Sequence, residues 1–271
     1  SAAGLMKAYA ENYDLNILPA TDDKPFFFLL RKLRPGSFLS DLRRFNLSAE
    51  YLPIWLLLLM SALTFLLVGL PLLKMARVMP AGFPVWPFSI YFSSIGLAFM
   101  FVEMSLLTRL STFLGHPIYS LSVVLFSLLI SSGLGSYFIG KADSQKTIAV
   151  CMALFIGICL LSVVFLSSAL NYFSRYPIGW RLVTAAVIVF LPGFFMGSFL
   201  PQGIRLLERK RGPVALFWGL NGAMSVIGSV LAMIFQITLG LNMTFLLGGI
   251  LYMVAIISRS GFDDYAFRTA A

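Results

Sequence analysis

Only one carboxylate, that of Glu103, lies inside an apolar segment long enough to cross a membrane. Ionisable groups at that depth are costly, and by default they indicate a substrate site or a proton path. The structural alternative is that Glu103 is protonated, or paired with a polar group on a neighbouring helix. Arg109 follows six residues later, so on a helix the two side chains lie on different faces. We expect Arg109 to extend toward the helix end, with a carboxylate on another helix or an anionic headgroup as alternative partners.

The single histidine, His116, stands in a Gly-His-Pro turn between two apolar segments. An imidazole here could titrate near neutrality or bind an anion. Backbone geometry explains the turn equally well, with Pro117 in the first turn of the next helix. One histidine and two cysteines predict no metal site. Cys151 and Cys159 would lie about 12 Å apart along a helix, so we expect both thiols to be free.

A polar stripe runs along the sixth apolar segment, where Asn221, Ser225 and Ser229 recur every four residues and Gln236 continues the pattern. Such a stripe has to face protein or water. It is the expected partner for Glu103, or half of the lining of a substrate cavity.

The fifth segment contains Pro192, which we expect to bend its helix. Pro201, Gln202 and Arg205 then make the end of this segment polar. Broken helices beside polar stripes are typical of transporter sites, although simple bundles contain them too.

The amino-acid composition indicates that these residues lie in a membrane. The 271 residues are 59% hydrophobic and 11% charged, whereas soluble domains carry about 25% charged residues. Residues 1–50 hold seven of the 20 basic and six of the 11 acidic residues. The rest of the chain is therefore predicted to lie in lipid, which excludes a soluble enzyme, a secreted disulfide scaffold and a coiled coil.

Windows of about 20 residues match the hydrocarbon thickness, and the chain contains seven of them. Because backbone groups in lipid must be satisfied within the segment, each window is predicted to be a helix. Glycine and serine three or four positions apart in the third, fifth and sixth windows predict close helix packing. The windows are residues 52–73, 87–108, 118–139, 147–170, 181–204, 215–238 and 241–258.

The domain organisation follows from this pattern. Residues 51–260 form a polytopic all-α bundle, and residues 261–271 form a tail. Residues 1–50 combine turn-forming residues with a basic connector, which consists of Arg31, Lys32, Arg34, Arg43 and Arg44. We interpret the chain as the later part of a longer protein, because it begins without an initiator methionine or a signal peptide.

The distribution of basic residues between the loops does not decide the orientation of the chain in the membrane. Loops after the first, third and fifth spans carry eight basic residues, and the opposite loops carry three, Arg109, Arg175 and Arg181. The positive-inside rule places the first set in the cytoplasm. With seven spans, residues 1–50 and their basic connector would then lie outside. The net charge of +9 indicates loops beside anionic lipid. It does not indicate nucleic acid, since the basic residues are distributed between the helices.

Several segments together resemble the bacterial membrane-embedded spermidine-synthase-like proteins, from about residue 19 to residue 257. In that family a nucleotide-binding domain of the spermidine-synthase or methyltransferase type is fused to membrane helices. The FLGHP and NGAMSVIGS stretches are the most specific. The segments are PATDDKPFFF (19–28), GLAFMFVEMSLLTRLSTFLGHP (96–117), IYSLSVVLFSLLISSGLGSY (118–137), MGSFLPQ (196–202) and WGLNGAMSVIGSVLA (218–232).

The resemblance implies that residues 1–50 are the remnant of a preceding α/β domain, closed by the Thr-Asp-Asp-Lys-Pro motif of residues 21–25. It marks Glu103, Arg109, His116, Pro117, Asn221 and Gly222 as family positions without giving their roles. The chain has no glycine-rich nucleotide loop and no catalytic pair. We therefore expect it to bind no cofactor and no metal, and an S-adenosylmethionine-type nucleotide would belong to the preceding domain.

Three functions follow as hypotheses. The chain is the membrane domain that anchors and serves an aminopropyl- or methyl-transferring domain, or it is a small-molecule or polyamine transporter, or it is a membrane scaffold. Whether the full protein is an enzyme stays open. The candidate functional residues are Glu103, Arg109, His116, Gln202, Arg205, Asn221 and Ser225. Expected partners are lipid, the preceding domain, and a second copy or other membrane subunits, in a bacterial inner membrane.

Overall fold

A computed structural model describes residues 21–25, 52–79, 83–140 and 145–268. Within these ranges the chain is helical and contains no strand, only an isolated bridge between Thr21 and Lys24. The helices are α1 (Leu52–Thr64), α2 (Leu70–Val78), α3 (Val85–Leu114), α4 (Pro117–Phe138), α5 (Gln145–Phe173), α6 (Ile178–Arg209), α7 (Val214–Leu239) and α8 (Leu241–Arg268).

Seven helical spans in this part of the chain are long and apolar enough to cross a membrane, which confirms the predicted number. The first span combines α1 and α2 with the π-helical turn Phe65–Gly69 between them. The α/β remnant expected for residues 1–50 lies outside the described residues, except for Thr21–Pro25. Helix α8 continues to Arg268, into the segment predicted as a tail.

Local sequence explains where the helices end. Gly115 has a φ of 78°, and Gly240 has a φ of 98°. A glycine adopts this left-handed region without the steric cost that a Cβ brings. Gly115 therefore closes α3, and Gly240 separates α7 from α8, in agreement with the separate windows predicted at residues 215–238 and 241–258. Pro117 occupies the first turn of α4, where its missing N–H costs nothing.

Helix α3 lies at the centre and packs against α4, α6, α7 and α8. In its most apolar window 61% of the residues are buried. Glycines allow the close approaches. Gly96 faces the backbone of Asn221 on α7, and Gly248 of α8 faces Ala98 and Val102.

Helices α4 and α6 form a second close pair, in which Gly135 lies against the Phe194 carbonyl and Gly197 against Ser132. The predicted packing role of small residues is correct at these positions. It fails at Gly133, Gly219 and Gly222, where an added Cβ would meet no atom within 4 Å in the described part of the chain.

Consecutive spans alternate in direction, so the bundle has two ends. One end holds the ends of α3, α5 and α7 and the beginnings of α1, α4, α6 and α8. Residues Thr21–Pro25 contact this end, and we call it the Asp23 end. The opposite end holds the connections before α3, α5 and α7.

Candidate functional site

Residues Thr21–Pro25 form a tight turn that sits on the α7–α8 hairpin. Within the turn, the Lys24 amide donates to the Thr21 carbonyl (2.9 Å) and the Thr21 amide donates to the Lys24 carbonyl (3.3 Å). The Thr21 hydroxyl also accepts from the Lys24 amide, at 3.2 Å. These bonds hold Asp23 and Lys24 in one fixed arrangement.

Asp23 and Lys24 bind the two helix ends that meet at Gly240. The Asp23 carboxylate accepts from the Asn242 amide (2.7 Å), and its carbonyl accepts from the Leu241 amide (3.0 Å). Lys24 Nζ donates to the Thr238 carbonyl at 2.7 Å. Helix ends leave backbone groups without partners, and an anion at the N-terminus with a cation at the C-terminus matches the helix dipole. The turn therefore caps α7 and α8 together.

Gly240 is needed for this contact on steric grounds. A Cβ added there would overlap the Asp23 carboxylate. Any other residue at this position would have to displace the Asp23 carboxylate, in addition to the strain of a positive φ.

Arg109 completes the cluster from the side of α3. Its Nη2 donates to the Asn242 side-chain oxygen at 2.6 Å and lies 3.5 Å from the Asp23 carboxylate. Arg109 is only 9% exposed, so its guanidinium contacts protein groups at the end of the bundle where α3 ends. Arg109 does reach a carboxylate, which was one of the expected alternatives. This carboxylate is that of Asp23, in the segment that precedes the helices, and not one on another helix. An arginine always carries its charge, so at this depth it needs such partners.

A cavity of about 330 Å³ opens beside this cluster, between the ends of α3 and α5 and the beginning of α6. Its charged lining residues are Asp22, Arg109 and Arg181, and its neutral polar ones are Thr112, Ser167, Asn171 and Ser174. Phe113 and Leu170 close its apolar side. A cavity of this size, with a few convergent polar groups, can hold a small ligand.

Glu103 lies on α3 and is 7% exposed. It makes no hydrogen bond or ion pair with the residues that the structure describes. Tyr252 of α8 lies within electrostatic range, and its own buried hydroxyl lacks a hydrogen-bond partner among those residues. The predicted structural pairing of Glu103 is therefore not seen in the described part of the chain.

The polar residues of the α7 stripe make hydrogen bonds both within their own helix and to α3. Ser225 donates to the Asn221 carbonyl (3.0 Å) and Ser229 to the Val226 carbonyl (2.8 Å), both within α7. Gln236 accepts from Thr108 of α3 at 3.0 Å. The stripe thus lies along α3, against Gly96 at its Asn221 and Ser225 end and bonded to Thr108 at Gln236. No hydrogen bond to Glu103 is found among the residues that the structure describes.

His116 precedes α4 as its N-cap residue, and its Nδ1 accepts from the Ile118 amide at 3.4 Å. It is exposed and lies beside the ring of Tyr119. The explanation from backbone geometry accounts for these contacts.

Gln202 of α6 is buried toward the opposite end, and its side-chain oxygen accepts from Arg259 Nη1 at 2.9 Å. Tyr91 donates nearby to the Phe199 carbonyl at 2.7 Å. Arg205 is partly buried one turn further along α6.

The structure brings only Arg109, of the seven predicted site residues, to the cavity at the Asp23 end. Sequence reasoning missed Asp23, Asn242 and Arg181 as site residues. A signal existed for Arg181, since a basic residue at the start of an apolar helix has to reach water or an anion. No local signal links Asp23 with Asn242, which are 219 residues apart.

Comparison with known proteins adds no relative, since no protein-family model, no curated protein and no solved structure matches this chain.

Proposed function

We propose that this chain is the membrane domain of a spermidine-synthase-like protein, in which the bundle anchors a nucleotide-dependent transferase domain that precedes the helices. The transfer of an aminopropyl or methyl group from an S-adenosylmethionine-type donor is assigned to that preceding domain. The resemblance of residues 19–28 to the family motif is one support. The other, which carries the proposal, is the attachment of Thr21–Pro25 to the α7–α8 hairpin.

The attachment supports an anchoring role because it is specific. A flexible linker would need no contact with the helix ends, whereas Asp23 and Lys24 make backbone hydrogen bonds to both helices of the hairpin. Arg109 adds a charge-assisted contact from a third helix. A preceding domain joined through this turn would be held at a defined place on the bundle.

The side of the membrane is the critical test. The loops of the Asp23 end carry three basic residues, and Lys24 with the five residues of the connector raises the number to nine, close to the eight in the opposite loops. Charge therefore gives neither end a clear excess. A nucleotide-dependent domain needs the Asp23 end to face the cytoplasm.

The experiment is cysteine accessibility in intact cells, with Cys151 and Cys159 replaced and single reporters at Tyr176 or Ser144. Tyr176 lies between α5 and α6 at the Asp23 end, and Ser144 belongs to the connection between α4 and α5. Labelling of Ser144→Cys alone by an impermeant reagent is the expected result. Labelling of Tyr176→Cys alone would contradict the transferase proposal.

The attachment has its own test, in which Asp23→Ala is compared with Asp22→Ala. Asp22 is exposed, and no hydrogen bond of its side chain to the hairpin is found. Limited proteolysis of the full-length protein in nanodiscs should cut ahead of α1 faster in Asp23→Ala, by about fivefold to tenfold for a lost bond of 1–1.4 kcal/mol. Equal rates in the two variants would show that the turn does not anchor the preceding residues.

Transport is the second candidate, and the specific observation in its favour is the buried carboxylate of Glu103 without a hydrogen-bond partner in the described residues. Such a group is a suitable counter-ion for an amine in low dielectric. Polyamine flux into proteoliposomes, measured for the wild type and Glu103→Gln, tests this directly. Flux in the wild type that the variant abolishes would establish transport. No flux in either protein would contradict transport and leave the anchor or a scaffold, whereas equal flux in the two proteins would show transport that does not need Glu103.

A further inference from the structure

The cavity at the Asp23 end contains an arginine whose hydrogen-bonding capacity is not used. Arg181 Nε is buried and has no acceptor among the residues that the structure describes. Its guanidinium carbon lies 5.2 Å from the centroid of the Phe113 ring. The flat face of the group therefore packs on the ring, and its N–H donors point away from the ring and can still bind an acceptor. A buried donor without an acceptor costs free energy, and a guanidinium cannot lose its proton to avoid the cost.

Arg109 cannot accept a hydrogen bond from Arg181, because it is itself a cation in the same cavity wall. Its Nη2 is occupied by Asn242 and Asp23. Asp22 is exposed at the rim of the cavity. The wall therefore presents one cation that is already partnered, one that is not, and one carboxylate.

Helix α5 contributes neutral polar groups to the same cavity. Ser167 and Asn171 are four residues apart on one face of the helix, and Ser174 lies in the turn directly after its last residue, Phe173. The Ser174 hydroxyl donates to the Asn171 carbonyl at 2.8 Å. The Asn171 amide adds donors opposite the arginines.

Aromatic residues place the cavity at the level of the lipid headgroups. Trp180 is 64% exposed and directly precedes Arg181, and Tyr172 and Tyr176 are exposed at the end of α5. The two tyrosine hydroxyls lie 3.3 Å apart. Exposed tryptophan and tyrosine at the ends of spans occupy the membrane–water interface.

We infer that this cavity binds a phosphate group, held by Arg181 with Arg109 and the polar face of α5. A tetrahedral anion accepts donors from several directions, as these three helices offer, and arginine is well matched to phosphate. Asp22 at the rim suits an ammonium group attached to the phosphate, as in an ethanolamine headgroup. The phosphate can come from a membrane lipid or from a soluble phosphate ester.

The test is native mass spectrometry of the delipidated full chain with added phosphatidylethanolamine. Diacylglycerol, which lacks the phosphate, is the matched probe. Arg181→Gln is compared with Arg175→Gln, because Arg175 is an exposed arginine of the same connection that does not line the cavity. Asn171→Leu is a second variant, at an exposed position of α5 whose replacement should not disturb folding.

Phosphatidylethanolamine should bind the wild type and Arg175→Gln equally, and Arg181→Gln at least about tenfold more weakly, as expected for a lost charge-assisted bond. Asn171→Leu should weaken binding by a smaller factor. Competition by O-phosphoethanolamine at millimolar concentration would identify a soluble ester as the ligand, and no competition would identify the lipid. Equal binding of phosphatidylethanolamine and diacylglycerol, or equal affinity in all variants, would overturn the inference. None of these readouts depends on transferase activity, and of the Thr21–Pro25 turn only Asp22 lines the cavity.

Discussion

The central helix α3 and the first span, formed by α1 and α2, are both apolar enough to cross a bilayer, yet they occupy opposite positions in the bundle. The first span is the more apolar of the two, and none of its most apolar window is buried in the protein, whereas 61% of the α3 window is. Leu58, Leu59 and Leu67 of the first span are more than half exposed. In lipid, the helix with the stronger hydrophobic signal is therefore the peripheral one.

The difference has a simple physical cause. Lipid tails are as apolar as leucine, so burial of apolar surface does not drive helices together in a membrane. Close packing and polar contacts do, and α3 has the residues for both. Gly96 allows the approach of α7, Thr108 bonds to Gln236, and Arg109 bonds to Asn242. Substitutions at interior and lipid-facing positions should therefore differ sharply in their effect on stability.

The largest effect is expected for Gly135→Ala, since the new methyl group would overlap the backbone carbonyl of Phe194 and force α4 away from α6. We expect a loss of about 3 kcal/mol in the free energy of unfolding, at the upper end for overpacked sites. Thermal unfolding in nanodiscs measures it. Gly133→Ala on the same helix is the control, because its Cβ meets no described atom within 4 Å. Equal stability of the two variants would contradict the close packing of α4 on α6.

A smaller effect is expected from truncation of a buried leucine. Leu106 of α3 is 1% exposed and Leu59 of α1 is 53% exposed. Leu106→Ala leaves a cavity and should cost about 2–3 kcal/mol. Leu59→Ala should cost less than about 0.5 kcal/mol, as at most surface positions, because lipid fills the space. The same unfolding assay applies, and a larger loss in Leu59→Ala would place α1 in the interior of an oligomer.

The hydrogen bond between α3 and α7 should contribute less still. Thr108→Val removes the donor to Gln236 and should cost about 0.6 kcal/mol, the mean for such bonds in membranes. Thr184→Val is the control, because the Thr184 hydroxyl bonds only to the Trp180 carbonyl of its own helix. A double-mutant cycle with Gln236→Leu isolates the pair. A coupling energy near zero would show that this hydrogen bond does not stabilise the packing of α3 against α7.

The smallest effect on stability is expected for Glu103→Gln. The substitution keeps the shape of the side chain and breaks no hydrogen bond of the described structure. The free energy of unfolding should change by less than about 0.5 kcal/mol, since loss of a buried partner costs 1–3 kcal/mol. A loss above that limit would mean that Glu103 has a partner in the folded protein, and would favour its structural role over a transport role.

Part of the site was predictable. The sequence singled out Arg109 as a cation at the end of an apolar segment, with a carboxylate or an anionic headgroup as alternative partners, and it singled out His116 and Pro117 because of the turn they form. It did not predict the cavity, since Arg181 and Asn171 belong to different helices and no local pattern links the two. Glu103 was singled out as the only carboxylate inside a predicted span, but the residues that the structure describes give it no comparable set of contacts.

The sequence by itself determined the seven spans and the helix ends at Gly115 and Gly240, because span length, backbone satisfaction in lipid and glycine conformation are local properties. Only the tertiary structure decided which span is central and which polar groups meet. Arg109 is 86 residues from Asp23 and 133 residues from Asn242 along the chain. Polar contacts between helices depend on how the helices rotate and approach, and an apolar pattern that is similar on all sides in lipid does not specify that rotation.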